Sequence, residues 1–329
     1  MEVKMTNIIS QIADVPVRSR ILLHHMYGAI DAGHAGRLTL EQLLPSLPTE
    51  RVVTFDADKL VDFRARRPVA TLSQWTLTDM EPPEIAIDKV TDYTGQEILV
   101  LHGPEPDLRW NEFAQVVSEY AKEAGIETAI NVLGLPAATP HTRPPLVNQT
   151  GTRLDLLPPQ DEQAGIMQFS ASMGMYLQYR LGQVGIDSIG LTVGVPYYVM
   201  DADYPAGAAA LISRISDLTG LELPIGDLEA ASDLISKRLD QEASESSEIG
   251  GVIAQLEQRI DSLDISKLQV GANKEKMPSG EDLAERLEDF LAVVERQRSD
   301  SSEPEDVKEE RPRGRHRADG PVDGPSKSS

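Results

Sequence analysis

The sequence predicts an α/β fold: a mostly parallel sheet with helices on both faces, followed by a helical appendage and a disordered tail. Three features predict it. Short apolar runs alternate with helix-like stretches between residues 20 and 220, the pattern of strands joined by crossover helices. After Pro224 strand signals stop, while apolar residues keep helical spacing. From residue 298 onward, Ser, Pro, Gly and charged residues leave too little apolar surface to offset the entropy of ordering. The expected organisation is a body over 1–223, an appendage over 224–297 and a disordered tail over 298–329.

In the body, 20–24 reads as a strand, 33–44 as the helix after it and 51–55 as a second strand. Residues 84–90 and 98–101, joined through Thr94-Gly95, read as an antiparallel hairpin, because short Gly-containing connections favour that pairing. The clearest helix begins at Trp110. Phe113, Ala114, Val117, Tyr120, Ala121 and Ala124 follow at helical spacing, and Gly125 stops it. Strands are expected at 128–133 and 146–150. Ser170 or Ser172 is placed to cap a helix that reaches Val184. Residues 186–195 read as a strand. Pro205 then opens a helix where its missing N–H costs nothing, Leu211, Ile212, Ile215 and Leu218 form its stripe, and Gly220 ends it.

In the appendage, Leu228, Ala231, Ile235 and Leu239 mark one helix, and the polar stretch 241–248 interrupts the pattern. Ile249, Ile253, Leu256, Ile260 and Leu263 then step by four and three, a short coiled-coil-like seam. Ser279 with Asp282 resembles a capping box before Leu283, Leu287, Phe290, Leu291 and Val294. In the tail, Arg311, Arg313, Arg315 and Arg317 alternate beside His316, either as solvated charge or as a tether to nucleic acid or an acidic surface.

Composition narrows the function. Lys and Arg number 31 against 53 Asp and Glu, a formal charge of −22 that repels phosphate backbones and argues against nucleic acid. There is no cysteine, so disulfides, thiol nucleophiles and cysteine-ligated metals are excluded. No apolar run nears the roughly 20 residues that cross a bilayer. Residues 1–20 carry Glu2 and Asp14 in place of a signal-peptide core. A cytoplasmic protein without membrane contact is expected. His24-His25, with His34 further on, is a sparse metal hint. A strand sends neighbours to opposite faces, and no carboxylate stands at ligand spacing, so no metal and no cofactor is expected.

Four groups of residues bear chemistry. Gly28 and Gly33 flank Asp31 in a strand-to-helix turn, which is either a tight turn or a phosphate site at a helix N-terminus. Glu105 and Asp107 follow a strand end, where parallel sheets bind ligands. They are acids at a cleft, or Asp107 caps the helix that starts near Trp110. His141 and Arg143, between Pro140 and Pro144, suit proton transfer and anion clamping. Otherwise they sit in a locked surface loop, with Arg143 paired to an acid such as Glu105 or Asp107. Tyr197, Tyr198 and Trp75 are large amphipathic side chains in or near loops, suited to anchoring an interface or to core packing. Gly28, Gly33, Asp107, Trp110, Tyr197 and Tyr198 are the expected ligand or interface set.

Six motifs recur together: Gly28-Ala-Ile-Asp-Ala-Gly33, Asp62-Phe-Arg-Ala-Arg-Arg-Pro68, Gly103-Pro-Glu-Pro-Asp-Leu-Arg-Trp110, Pro140-His-Thr-Arg-Pro144, Val195-Pro-Tyr-Tyr198 and Thr219-Gly-Leu-Glu-Leu-Pro224. In this order they make residues 20–295 resemble the proteasome assembly chaperone 2 (PAC-two) family, especially its bacterial branch. The resemblance implies a phosphorylase/hydrolase-like core, a helical extension and an oligomer, for which a homotrimer is expected. Eukaryotic and archaeal members assist assembly of the proteasome α-ring without nucleotide, so proteasome α-subunits are the implied partners. Two departures stand out. Proteasome-binding members often end in a hydrophobic-Tyr-x tail, whereas this sequence ends Ser326-Lys-Ser-Ser329. Bacterial members often carry His where Tyr197 stands, which weakens any proton-transfer role for that loop.

Two functions follow as expectations. The first is a non-enzymatic protein-interaction or assembly factor, resembling a proteasome assembly chaperone. The alternative is a small-molecule hydrolase- or phosphorylase-type enzyme or binding protein. It needs Asp31, Glu105, His141 and Arg143 in one cleft, with Glu105 or Asp31 as base, His141 as acid and Arg143 holding an anion.

Overall fold

The computed structural model describes residues 8–13, 17–158 and 166–262. Chain order is β1 (Ile9–Ile12), β2 (Ile21–Tyr27), α1 (Ala35–Ser46), β3 (Thr49–Phe55), α2 (Ala57–Leu60), β4 (Val69–Ser73), β5 (Thr76–Glu81), β6 (Ala86–Thr91), β7 (Glu97–Pro104), α3 (Trp110–Ala124), β8 (Thr128–Ala137), β9 (Val147–Gly151), α4 (Met173–Gln183), β10 (Asp187–Pro196), α5 (Pro205–Thr219), α6 (Gly226–Glu245) and α7 (Ser247–Ser262). Eight strands form one sheet in the order β1-β3-β6-β7-β2-β8-β10-β9.

The expected α/β architecture is present, and its centre is parallel. β7, β2, β8 and β10 run side by side in one direction. Their near-continuous apolar sequences suit strands buried on both faces. Leu22 pairs in register with Leu99 and Ala129, and Leu23 with Val100 and Ile130. Side chains alternate between faces, so neighbouring positions feed two cores. On one face Leu22, Leu99 and Ala129 meet Phe113 and Val117 of α3 and Leu177 of α4. On the other, Leu23, Val100 and Leu191 meet Leu43 of α1 and Leu211 and Ile215 of α5. Each fully buried side chain of this size contributes about 1.5–3 kcal/mol relative to exposure. The flanks are antiparallel. The expected β6–β7 hairpin is there, and β1, β3 and β9 also pair antiparallel.

Local signals place several helices. Ser172 caps α4 by accepting from the Met175 N–H at 3.3 Å. α5 begins on Pro205 and ends at Gly220, whose φ of +74° is the left-handed stop that glycine takes without strain. α3 spans the segment its periodicity marks, with Gly125 as C-cap. Its start corrects the sequence reading: the chain enters through Arg109 at φ +59°, with no side-chain cap, so Asp107 does not cap this helix. The polar stretch expected to interrupt the appendage is itself helical to Glu245, because Arg238–Glu242 and Gln241–Glu245 pair one turn apart; the break narrows to Ser246. α7 buries Ile253, Leu256 and Ile260 of the seam. Leu263, the helix expected after Ser279 and the tail lie outside the described residues.

β4 and β5 form a separate two-stranded ribbon. The described residues cluster as one compact unit, so α6 and α7 share it with the sheet. Leu228 of α6 is buried, and Leu239 packs against the same core as α5. Among the described residues, no helix is long and apolar enough to cross a membrane.

Candidate functional site

All four parallel strands end at one edge of the sheet, where ligands of open α/β folds usually sit. The turn after β2 brings Gly28, Asp31 and Gly33 there. Gly28, at φ +110°, leaves room for the guanidinium of Arg66. Gly33, at φ +63°, donates its N–H to the Met200 carbonyl at 2.7 Å and accepts from the Tyr204 N–H at 2.9 Å. These bonds tie the turn to the loop after β10.

Asp31 is the most heavily used side chain of the edge. Its Oδ1 accepts from the Gly36 N–H at 2.9 Å and the Gly134 N–H at 2.8 Å, and its Oδ2 from the Arg37 N–H at 3.1 Å. It thereby caps α1 and pins that helix to β8. The Ala32 carbonyl presses on β8 where a Gly134 side chain would stand. His25 lies 3.4 Å from Asp31 Oδ2 through Nε2, and its Nδ1 is 2.9 Å from the Val132 carbonyl. Burial holds the His25 imidazole below its ordinary pKa, against the opposing pull of Asp31. In front of Asp31 opens a cleft of about 500 Å³, walled by Tyr27, Ile30, Arg37, Pro136 and Met200 among others.

Glu105 works elsewhere. Its Oε2 accepts from the Met173 N–H at 2.7 Å, at the N-terminus of α4. Its carbonyl accepts from Arg66, and its N–H donates to the Tyr27 carbonyl at 2.7 Å. Asp107 accepts from the Asp62 N–H at 2.8 Å and lies 3.4 Å from Arg66. Arg66 thus links Gly28, Glu105 and Asp107. Trp110 is half-buried, donates to the Pro106 carbonyl at 2.5 Å and packs 5.9 Å from the Tyr176 ring.

His141 and Arg143 face the appendage. The Tyr198 hydroxyl lies 2.7 Å from His141 Nδ1 and accepts from the His141 N–H at 2.8 Å. His141 Nε2 lies 3.2 Å from Asp240 of α6. Burial raises the Tyr198 hydroxyl pKa well above its ordinary value, so it stays a neutral donor and acceptor. The Tyr197 and Tyr198 rings meet edge-on at 5.6 Å. Arg143 grips Asp261 of α7 with two bonds of 2.8 and 2.6 Å and reaches Glu257 at 3.2 Å. Its side-chain bond to Asp261 raises the guanidinium pKa further and holds the Asp261 carboxyl below its usual range. The acid that pairs Arg143 is therefore neither Glu105 nor Asp107, as the sequence suggested, but a residue 118 positions away. Arg143→Ala is expected to speed hydrogen exchange across α7 while leaving β8 and β10 protected, and added salt should do the same to the wild type. Unchanged α7 exchange would show that the pairing holds nothing.

Of the four proposed catalytic residues, only Asp31 lines the cleft. Glu105 serves α4, and His141 and Arg143 serve the appendage. Among the described residues, no group of three or more His, Asp or Glu side chains is placed to hold a metal ion. The sequence reading missed one polar cluster: Asp88 of β6 bonds Arg51, and its Oδ2 lies 2.8 Å from His102 Nε2. Burial pushes the Asp88 carboxyl up, but His102 and Arg51 outweigh it and keep it below the ordinary carboxylate range. These three also satisfy one another.

Residues 25–243 match the model of the PAC2 family. The chain is similar to a Mycobacterium tuberculosis protein of unknown function, Rv2714: 32% identity, 80% of this chain, 93% of that one and a TM-score of 0.74. A Corynebacterium glutamicum protein of unknown function shares 32% identity over 79% of this chain and 95% of that one, with a TM-score of 0.71. The Mycobacterium tuberculosis proteasome-assembly chaperone homologue Rv2125 has the same fold at 22% identity, over 71% of this chain and 99% of that one, with a TM-score of 0.64. No curated protein matches the chain.

Proposed function

The chain belongs to the PAC2 family, and from that premise we propose that it acts as a non-enzymatic assembly factor, a cytoplasmic homo-oligomer whose work is to bind other proteins. One observation carries the reading: the polar side chains at the functional edge are consumed in building it. Asp31 is spent on three amides, Glu105 on α4, and Arg143 on two acids of α7. A general base or an anion clamp must be free to meet a substrate. The partner to test first is a proteasome α-subunit, in line with what Rv2125 is described as.

The test mixes the purified full chain with cognate proteasome α-subunits and follows co-elution and the rate of ring formation. A stoichiometric complex and faster assembly are expected. The reading fails if no complex forms and a nucleoside, phosphate or carboxylate instead raises the melting temperature of the wild type but not of Arg143→Ala. That result would favour the small-molecule alternative.

A further inference from the structure

The cleft in front of Asp31 has a polar side that the fold leaves unused. Two of its charged groups are already engaged. Asp31 accepts from the amides of Gly36, Arg37 and Gly134. Arg37 gives one guanidinium nitrogen to both carboxylate oxygens of Glu41, at 2.8 and 3.0 Å, and another to Asp203 at 2.7 Å. Three further groups of the wall are free. The Tyr27 hydroxyl, His34 Nε2 and the Asp201 carboxylate have no hydrogen-bond or ion-pair partner among the described residues.

All three are acceptors. A carboxylate accepts, and so do the lone pairs of a phenol. His34 Nδ1 lies 2.8 Å from Asp203 Oδ1. A carboxylate can only accept, so the neutral ring carries its proton on Nδ1 and leaves Nε2 as an acceptor. His34 is held at φ +49°, in the left-handed region, between the Asp31 turn and α1. Residues other than glycine held in that region cluster where a ligand is met.

Charge and shape narrow the ligand. An anion finds no free donor, because Arg37 and His34 Nδ1 already hold carboxylates of the chain and Asp31 takes the first amides of α1. Asp31, Glu41, Asp201 and Asp203 stand at or beside the wall against Arg37. Arg66, behind Gly28, is 3.4 Å from Asp107. A cleft lined mainly by one sign of charge concentrates ions of the other. A guanidinium presents a flat fork of five N–H groups, whereas an ammonium presents three around one point, one for each free acceptor. Ile30, Pro136 and Met200 give the wall an apolar side along which an alkyl stem can lie. The space of about 500 Å³ exceeds one such side chain and leaves room for the residues that flank it.

We propose that this cleft receives a lysine side chain of a partner protein, its ammonium held by Tyr27, His34 and Asp201. The proposal rests on the reading that the chain binds proteins, and it adds the chemistry of one contact, whichever protein supplies it. The net charge of −22 favours a basic partner in the same sense.

Saturation-transfer NMR of the purified full chain with acetyl-Ala-Lys-Ala amide tests it. Saturation is expected on the protons of the lysine stem, with a dissociation constant of about 1 mM at low salt. The same peptide acetylated at Nε is expected not to bind, since acetylation removes the charge. Asp201→Asn is expected to raise the dissociation constant at least about fivefold, and Tyr27→Phe about threefold. Asp201 is exposed and Tyr27→Phe removes only a hydroxyl without a partner, so both variants should fold as the wild type does. Glu119→Gln removes an exposed carboxylate from α3, on the other face of the sheet from α1, and is expected to keep the wild-type value. Equal binding of the acetylated peptide, wild-type affinity in Asp201→Asn, or an equal loss in Glu119→Gln overturns the proposal. Tighter binding of cadaverine than of the peptide also overturns it and gives the cleft to a free amine. Proteasome α-subunits that co-elute with the chain while no lysine peptide binds would strike this proposal and leave the assembly reading standing. Peptide binding without co-elution supports the proposal and counts against that partner alone.

Discussion

Replacing Asp31 with alanine is expected to destabilise the folded chain by about 3 kcal/mol, read as a lower urea midpoint at unchanged slope. The size follows from what the carboxylate does. It is 8% exposed and accepts from the amides of Gly36, Arg37 and Gly134. Losing a helix cap costs about 1 kcal/mol. The Gly134 amide is then left without its acceptor between packed elements, and a buried unpaired donor costs about 1–3 kcal/mol more. Asp31→Asn should fall between, because its single oxygen serves the Gly36 and Gly134 amides while its NH₂ is turned against the Arg37 amide. The result separates two roles for one residue. A structural carboxylate loses stability when removed. A catalytic one is usually strained or exposed, and its removal is neutral or stabilising. An Asp31→Ala variant within about 0.5 kcal/mol of wild type would mean that the three bonds are not worth their geometry, and the edge would again be open to an enzymatic reading.

The sequence carried what is local and hid what is distant. α3 was legible because Trp110 to Ala124 repeats every three to four residues and Gly125 follows. α5 was legible from Pro205 and Gly220 alone. The β4–β5 ribbon was not, because Gln74-Trp75 is an unusual turn pair and β5 runs Thr-Leu-Thr-Asp-Met-Glu with little apolar weight. At the functional edge, the sequence named Asp31, Glu105, His141 and Arg143 by residue type and position in loops. It could not say which partners they take. Gly134 lies 103 residues from Asp31, and Asp261 lies 118 from Arg143. Nothing in the spacing of either pair announces the contact, and many other acids in so acidic a chain were equal candidates for Arg143.

A second large effect is expected from pH, through His24. β2 sends this side chain to the face packed by α3 and α4, beside Asn131 in the register. It is fully buried, and neither ring nitrogen has a hydrogen-bond partner among the described residues. Burial, helped by the neighbouring His25, lowers its pKa to about 3. In the unfolded chain a histidine titrates near 6.5. The folded-state value is the depressed one, so the unfolded state binds the proton first. The contribution to stability is complete above pH 6.5 and is lost progressively as pH falls towards 3. At pH 5 the loss amounts to about 2 kcal/mol relative to pH 7. His25, also depressed, acts in the same direction. The carboxylates held low in the fold, such as Asp88 and Asp92, stay charged between pH 7 and pH 5 and add little to this difference. Urea unfolding of the wild type at pH 7 and pH 5, set beside His24→Leu, isolates the effect. Leucine fills a similar space without an unpaired ring nitrogen, so the variant should be no less stable at pH 7 and should keep about 2 kcal/mol more of its stability at pH 5. If both proteins lose the same amount between the two pH values, His24 is not buried as a neutral, unpartnered ring, and the packing of α3 and α4 over β2 would have to be revised.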